Sequence, residues 1–178
     1  MKKILVLAIL IVVVSLFALP NNSKKTIVVS QKENMKVTST AFENNSKIPR
    51  IYTCDGKSIS PPLSFVNIPA NVKSLSLIMD DPDASMGTFV HWILFNIDPK
   101  VQKMKENSVP QSALQGKTSV DKVGYVGVCP PSGTHCYYFK LYALDTALNL
   151  TNPDKETLEK EMQKHVIDKA ELIGLYSR

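Results

Sequence analysis

Residues 88–98, TFVHWILFNID, are apolar at almost every position, and the apolar residues are mostly β-branched or aromatic. A strand with one face in water alternates polar and apolar residues. This run does not alternate, so it predicts a central strand buried on both faces. Such a strand needs packed layers above and below it. The chain can supply them: it has 178 residues, 44% hydrophobic and 21% charged. That is enough for one domain with a sizeable core, plus a leader.

The remaining pattern is mostly β. MKVTSTAF, 35–42, alternates well enough for a first strand. Residues 43–65 are rich in turn formers and predict an ordered loop, with a tight turn at Asp55-Gly56. VKSLSLIMD, 72–80, sets Ser74 and Ser76 against Leu75 and Leu77 and predicts a strand entering the core. CYYFKLYALD, 136–145, predicts another. Between them, residues 99–123 are polar, with two prolines and a glycine, and predict a long surface excursion. One strong helix follows. Asn152 can cap it, Pro153 suits its first turn, and Asp154 and Glu156 favour its positive end. Leu158, Met162 and Val166 recur at four-residue spacing as a core stripe, and Gly174 marks a break beyond.

The first twenty residues read differently. Lys2 and Lys3 precede an unbroken apolar segment, residues 4–19, that ends at Pro20. This is a secretory signal peptide or an uncleaved N-terminal membrane anchor. Residues 21–34 are a spacer and 35–178 the domain, which is expected outside the cytoplasmic membrane, secreted, periplasmic or anchored to the membrane's outer face. The membrane is then a partner only through an uncleaved leader. Of the three cysteines, Cys54 and Cys129 flank turn-rich segments and are the pair expected to be oxidised there; Cys136 is left over, within a strand. The net charge of +5 is dispersed, with Lys100, Lys103, Lys105, Lys117 and Lys122 thinly spread around Glu106 and Asp121. That is a solvated face, and no arginine-rich block points to nucleic acid.

The chemistry-bearing residues fall in two short segments. One is Asp81-Pro82-Asp83 with Gly87 and His91; the other is CPPSGTHCYY, holding Cys129, Pro130, Pro131, His135 and Tyr137. A carboxylate can fix a histidine tautomer through one ring nitrogen and leave the other for a ligand. Protonated histidines, a tyrosine hydroxyl and backbone N–H groups together suit a phosphate-like anion. Competing readings stay open. Asp81 or Asp83 can merely shape an Asx turn around Pro82. A zinc site from both histidines and an aspartate is possible, but no H-E-x-x-H or C-x-x-C pair is present. A hydrolase would need a nucleophile; Ser132 lies near His135, but G-x-S-x-G is absent. His165, on the helix, reads as a packing or surface residue.

The segments YTCDGKSISPPLSF, DDPDAS, GTFVHWILFNI, CPPSGTHCYYFKLYALD and HVIDKAELIGLYSR, in that order, resemble the phosphatidylethanolamine-binding protein family, also called Raf-kinase-inhibitor-protein-like, in its bacterial and archaeal branch. The resemblance runs from about Met35 to Arg178. It implies a mostly β fold, a Greek-key β-sandwich with a C-terminal helix, and one small pocket. It implies a non-catalytic binding protein without a cofactor or metal. The ligand would be a small anion or a phospholipid head group such as phosphorylethanolamine, held by Asp81, Asp83, His91, Pro130, Pro131, His135 and Tyr137. Some members inhibit proteases, so an extracytoplasmic protease is the alternative partner, with 99–123 as the inhibiting surface. The family often has proline where this chain has Ser85, and arginine where it has Cys136, which implies a supporting ion pair lost.

Overall fold

The computed structural model describes residues 33–178; the leader and nearly all of the spacer lie outside them. Residues Glu33–Arg178 form a compact unit. Its strands are β1 (Lys36–Thr38), β2 (Ser46–Lys47), β3 (Leu63–Val66), β4 (Ser74–Asp81), β5 (Phe89–Ile97), β6 (Lys103–Met104), β7 (Leu114–Gln115), β8 (Thr134–Leu144) and β9 (Val166–Ser177). One α-helix, α1 (Lys155–Met162), lies between β8 and β9.

The strands make two sheets, a small one in the order β1-β3-β6 and a large one in the order β2-β9-β8-β4-β5-β7. Strands β4 and β5 form an antiparallel pair, and the chain then returns so that β8 lies on the other edge of β4, the Greek-key step. One apolar layer fills the sandwich, with Val37, Leu63 and Phe65 meeting Leu77, Met79, Trp92 and Phe139. A second layer covers the opposite face of the large sheet, where Ile78, Ile93 and Phe95 meet Leu158 and Met162 of α1. Strand β5 is therefore covered on both sides, as its apolar run requires. Each fully buried residue of this kind, such as Ile93 or Phe139, contributes about 2 kcal/mol.

The structure redraws several boundaries. The first strand is three residues long rather than eight. Strand β4 is buried at every position, so Ser74 and Ser76 do not face water. The helix cap is Asp154, whose carboxylate accepts the Thr157 N–H at 2.8 Å; Asn152 instead sits at φ 44° in the preceding turn. Val166 is exposed at the start of β9, and His165 lies in the turn before it, with Nδ1 2.8 Å from Asp145 Oδ1. The helix is thus followed by a twelve-residue strand along β8. Gly174 is no break: it sits inside β9, where a Cβ would lie 2.5 Å from the buried Ile48 side chain. The 99–123 excursion is tied down, Met104 pairing with Leu63, Leu114 and Gln115 with β5, and Asn107 N–H donating to Ser60 O at 3.0 Å.

Candidate functional site

Strand β4 ends in consecutive carboxylates that serve different layers. Asp80 is fully buried on the helix side, with Lys140 Nζ 2.8 Å from one oxygen and 2.9 Å from the other, and Lys155 Nζ at 3.4 Å. Asp81 turns the other way. Its Oδ1 accepts the Asp83 N–H at 2.9 Å, an Asx turn around Pro82, and its Oδ2 accepts from His135 Nδ1 at 2.8 Å. Asp83 reaches sideways, and its Oδ2 accepts the Cys136 N–H of β8 at 2.7 Å.

The second histidine is fixed in the same fashion. His91 Nδ1 donates to Val126 O at 2.9 Å. A carbonyl or a carboxylate beside Nδ1 only accepts, so both rings carry their hydrogen there and leave Nε2 without a protein partner. Tyr137 lies against both rings, with centroids 5.3 Å from His91 and 6.4 Å from His135. Its hydroxyl is fully buried and makes no hydrogen bond of acceptable geometry. Burial first, then the nearby Asp81 charge, pushes the Tyr137 pKa upward, so it stays a neutral phenol.

These groups meet at a cavity of about 570 Å³. Asp81, His91, Pro130, Pro131 and His135 line it. The sequence places two further residues there that the structure does not. Asp83 is drawn off to the edge of β8, and Tyr137 lies behind the histidines rather than on the wall. The rim instead includes Ser85, Met86 and Phe89 from the β4–β5 turn, and Ser119 and Val120 from the excursion. Gly87, at φ 99°, takes the left-handed turn that turns this loop back toward β5. Val120 and Met86 are 56% and 99% exposed. The opposite wall is held by a disulfide between Cys54 and Cys129, with Cα atoms 5.4 Å apart, and by the Cys54 N–H to Val128 O bond at 3.0 Å. The free Cys136 is half-buried. Hollows of 610 and 670 Å³ lie beside α1 and beside β3, but neither holds a histidine.

The hydroxyls on the wall belong to Ser85, Thr88 and Ser119, and Ser119 Oγ already accepts the Val90 N–H at 2.8 Å. Among the described residues no hydroxyl or thiol is hydrogen-bonded to either histidine.

Burial, the largest effect on it, holds the His91 pKa below the ordinary value of 6.5, against the raising effects of Val126 O and of Asp81. The folded state therefore disfavours the charged ring. Its contribution to stability is complete above pH 6.5 and is lost as pH falls through the lowered value. Melting temperatures of the unliganded protein should drop across that window. His91→Gln should drop less over the same range; parallel curves would refute the assignment.

The comparisons with known proteins agree on one family. A family model described as phosphatidylethanolamine-binding protein matches residues 38–177. A UPF0098 protein of Methanothermobacter thermautotrophicus is 46% identical over 150 residues, covering 81% of this chain and 99% of that one. Another, from Pyrococcus horikoshii, is 48% identical over 157 residues, covering 83% and 79%. Among solved structures, a putative phosphatidylethanolamine-binding protein homolog from Chlamydia trachomatis superposes with a TM-score of 0.79 at 41% identity, over 82% of this chain and 98% of that one. YbcL of E. coli, described as a new member of the mammalian family, gives 0.77 at 25% identity, over 82% and 99%. The chain belongs to the phosphatidylethanolamine-binding protein family.

Proposed function

We propose that this chain is a non-catalytic binding protein whose cavity takes an anionic group, such as phosphate or the phosphorylethanolamine head group. The observation that carries this reading is the pair of histidines fixed through Nδ1, each with a free Nε2, on the wall of one cavity beside Asp81. Among the described residues each ring is bonded to a carbonyl or a carboxylate rather than to a hydroxyl or thiol, an arrangement that favours holding a ligand. The Cys54–Cys129 disulfide suits an oxidising compartment and favours a place outside the cytoplasmic membrane. Inhibition of a protease by the 99–123 segment is the second reading, favoured only by the exposure of Val109, Leu114 and Val120 along it.

The test is a heteronuclear NMR titration with phosphorylethanolamine, phosphate and acetate at mildly acidic pH. Saturable shifts centred on His91 and His135, abolished in His135→Ala, are expected. Silence from all three ligands would end the anion reading and turn attention to protein partners.

A further inference from the structure

Given the anion pocket proposed above, the charges on its wall pose a problem. Among the described residues no lysine or arginine lines the cavity, and its one carboxylate is that of Asp81. Both histidines commit Nδ1 to fixed acceptors, Val126 O and Asp81 Oδ2. Each neutral ring therefore presents a lone pair at Nε2 to whatever enters. A dianion would meet one negative charge and two acceptors, with only the neutral hydroxyls of Ser85, Thr88 and Ser119 as side-chain donors and no positive charge among them. A single proton on one Nε2 turns an acceptor into a charged donor and offsets the charge of Asp81.

One cation approaches the wall from behind: Arg178 Nη1 lies 3.4 Å from Cys129 Sγ, with the guanidinium already paired to Asp55. From β4, Asp80 is already matched by Lys140 and Lys155. In the turn after it, Asp83 is engaged with the β8 backbone. On β8 itself Tyr137 stays neutral. Across from His135 on β9 stands Tyr176, whose hydroxyl donates to Asp55; that carboxylate also pairs with Arg178 at 3.4 Å. From the 126–131 segment come the Val126 carbonyl and the oxidised Cys129. Lys117, on the excursion, faces Asp121.

We infer that an anion enters this cavity together with one proton, carried on a histidine Nε2 or on the ligand as a phosphoryl hydroxyl. The pocket then binds anions in acid and releases them as pH rises. It favours anions that bring their own hydrogen-bond donor, a hydroxyl or an ammonium, over those that bring none.

Isothermal titration with sulfate tests this, because sulfate does not titrate between about pH 5.5 and 8 and any proton taken up must go to the protein. Runs in two buffers of different ionisation enthalpy give the proton count. About one proton per sulfate is expected near pH 7.5, with affinity falling about tenfold per pH unit there. His91→Gln and His135→Gln should each reduce the uptake, with backbone NMR spectra showing the fold retained. A phosphoryl group on a free metabolite and one in a lipid head group share this chemistry. O-phosphorylethanolamine and glycerophosphorylethanolamine, run beside sulfate, separate the two sources, and proton uptake with either supports the linkage. Sulfate bound equally at every pH, with no proton exchanged, overturns the linkage and leaves the anion pocket standing. No binding by any of the three probes at any pH overturns both.

Discussion

Asp81→Asn should bind sulfate more tightly than the unaltered protein at pH 7.5, by about tenfold, and with a shallower pH dependence. The expectation follows from counting donors. Asp81 accepts two hydrogen bonds, from the Asp83 N–H and from His135 Nδ1. An asparagine has one oxygen and one amide group. The oxygen can keep the Asp83 bond, and the amide then donates to His135 Nδ1, which must give up its hydrogen. The ring adopts its other tautomer and turns an N–H toward the cavity without being charged. Removing the carboxylate also deletes the negative charge on the wall, and an interaction of about 1.4 kcal/mol is a reasonable scale for a partly screened charge a few ångströms away. The cost in stability is two charge-assisted bonds exchanged for neutral ones, about 2 kcal/mol. Calorimetry at two pH values reads the effect. A tenfold loss at pH 7.5 instead would mean that the carboxylate acts mainly by sustaining an imidazolium, and the tautomer argument would be wrong.

Replacing Cys54 and Cys129 together by alanine should cost about 4 kcal/mol, read as a lower midpoint in urea unfolding. The crosslink spans 75 positions of sequence, so it removes much of the conformational freedom of the unfolded chain. The loss at the site should exceed that of a remote destabilisation of equal size. Cys129 lies on the cavity wall, next to Pro130 and Pro131, and the segment is otherwise anchored there by a bridge between Thr53 and Val128. Anion affinity should therefore weaken even where the variant is fully folded. Unchanged affinity at full occupancy of the native state would show that the wall holds its shape unaided.

Much of this arrangement is legible in the residue order. The apolar run at 89–97 announces a strand with two covered faces, and the Asp-Pro-Asp and His-Cys-Tyr segments announce the residues that meet. What is not legible depends on pairing across the sheet. Asp81 and Asp83 look equivalent in sequence; only the β4–β8 alignment sends one carboxylate to a histidine and the other to a backbone amide. Tyr137 shares a face with His135 by alternation, but the depth of the sandwich places it behind the ring. Val166 fits a helical spacing with Leu158 and Met162, and that coincidence hides β9, whose own signal is the period-two burial of Leu172, Gly174 and Tyr176 within a half-exposed, charged strand. The contribution of Ser119 and Val120 to the rim comes from an excursion whose path no local spacing encodes.

The two adjacent carboxylates at the end of β4 have a consequence for how such a chain can change over time. Asp80 and Asp81 point into different layers, one toward lysines and one toward a histidine. Adding or deleting a single residue just before them would exchange their destinations, placing an unmatched charge among the helix contacts and the wrong side chain on the cavity wall. The turn at 84–87, by contrast, ends in open space at Gly87 and has room to lengthen. A change of length is thus accommodated at the mouth of the cavity, where it would alter what the cavity admits, and not beside the carboxylate that sets its charge.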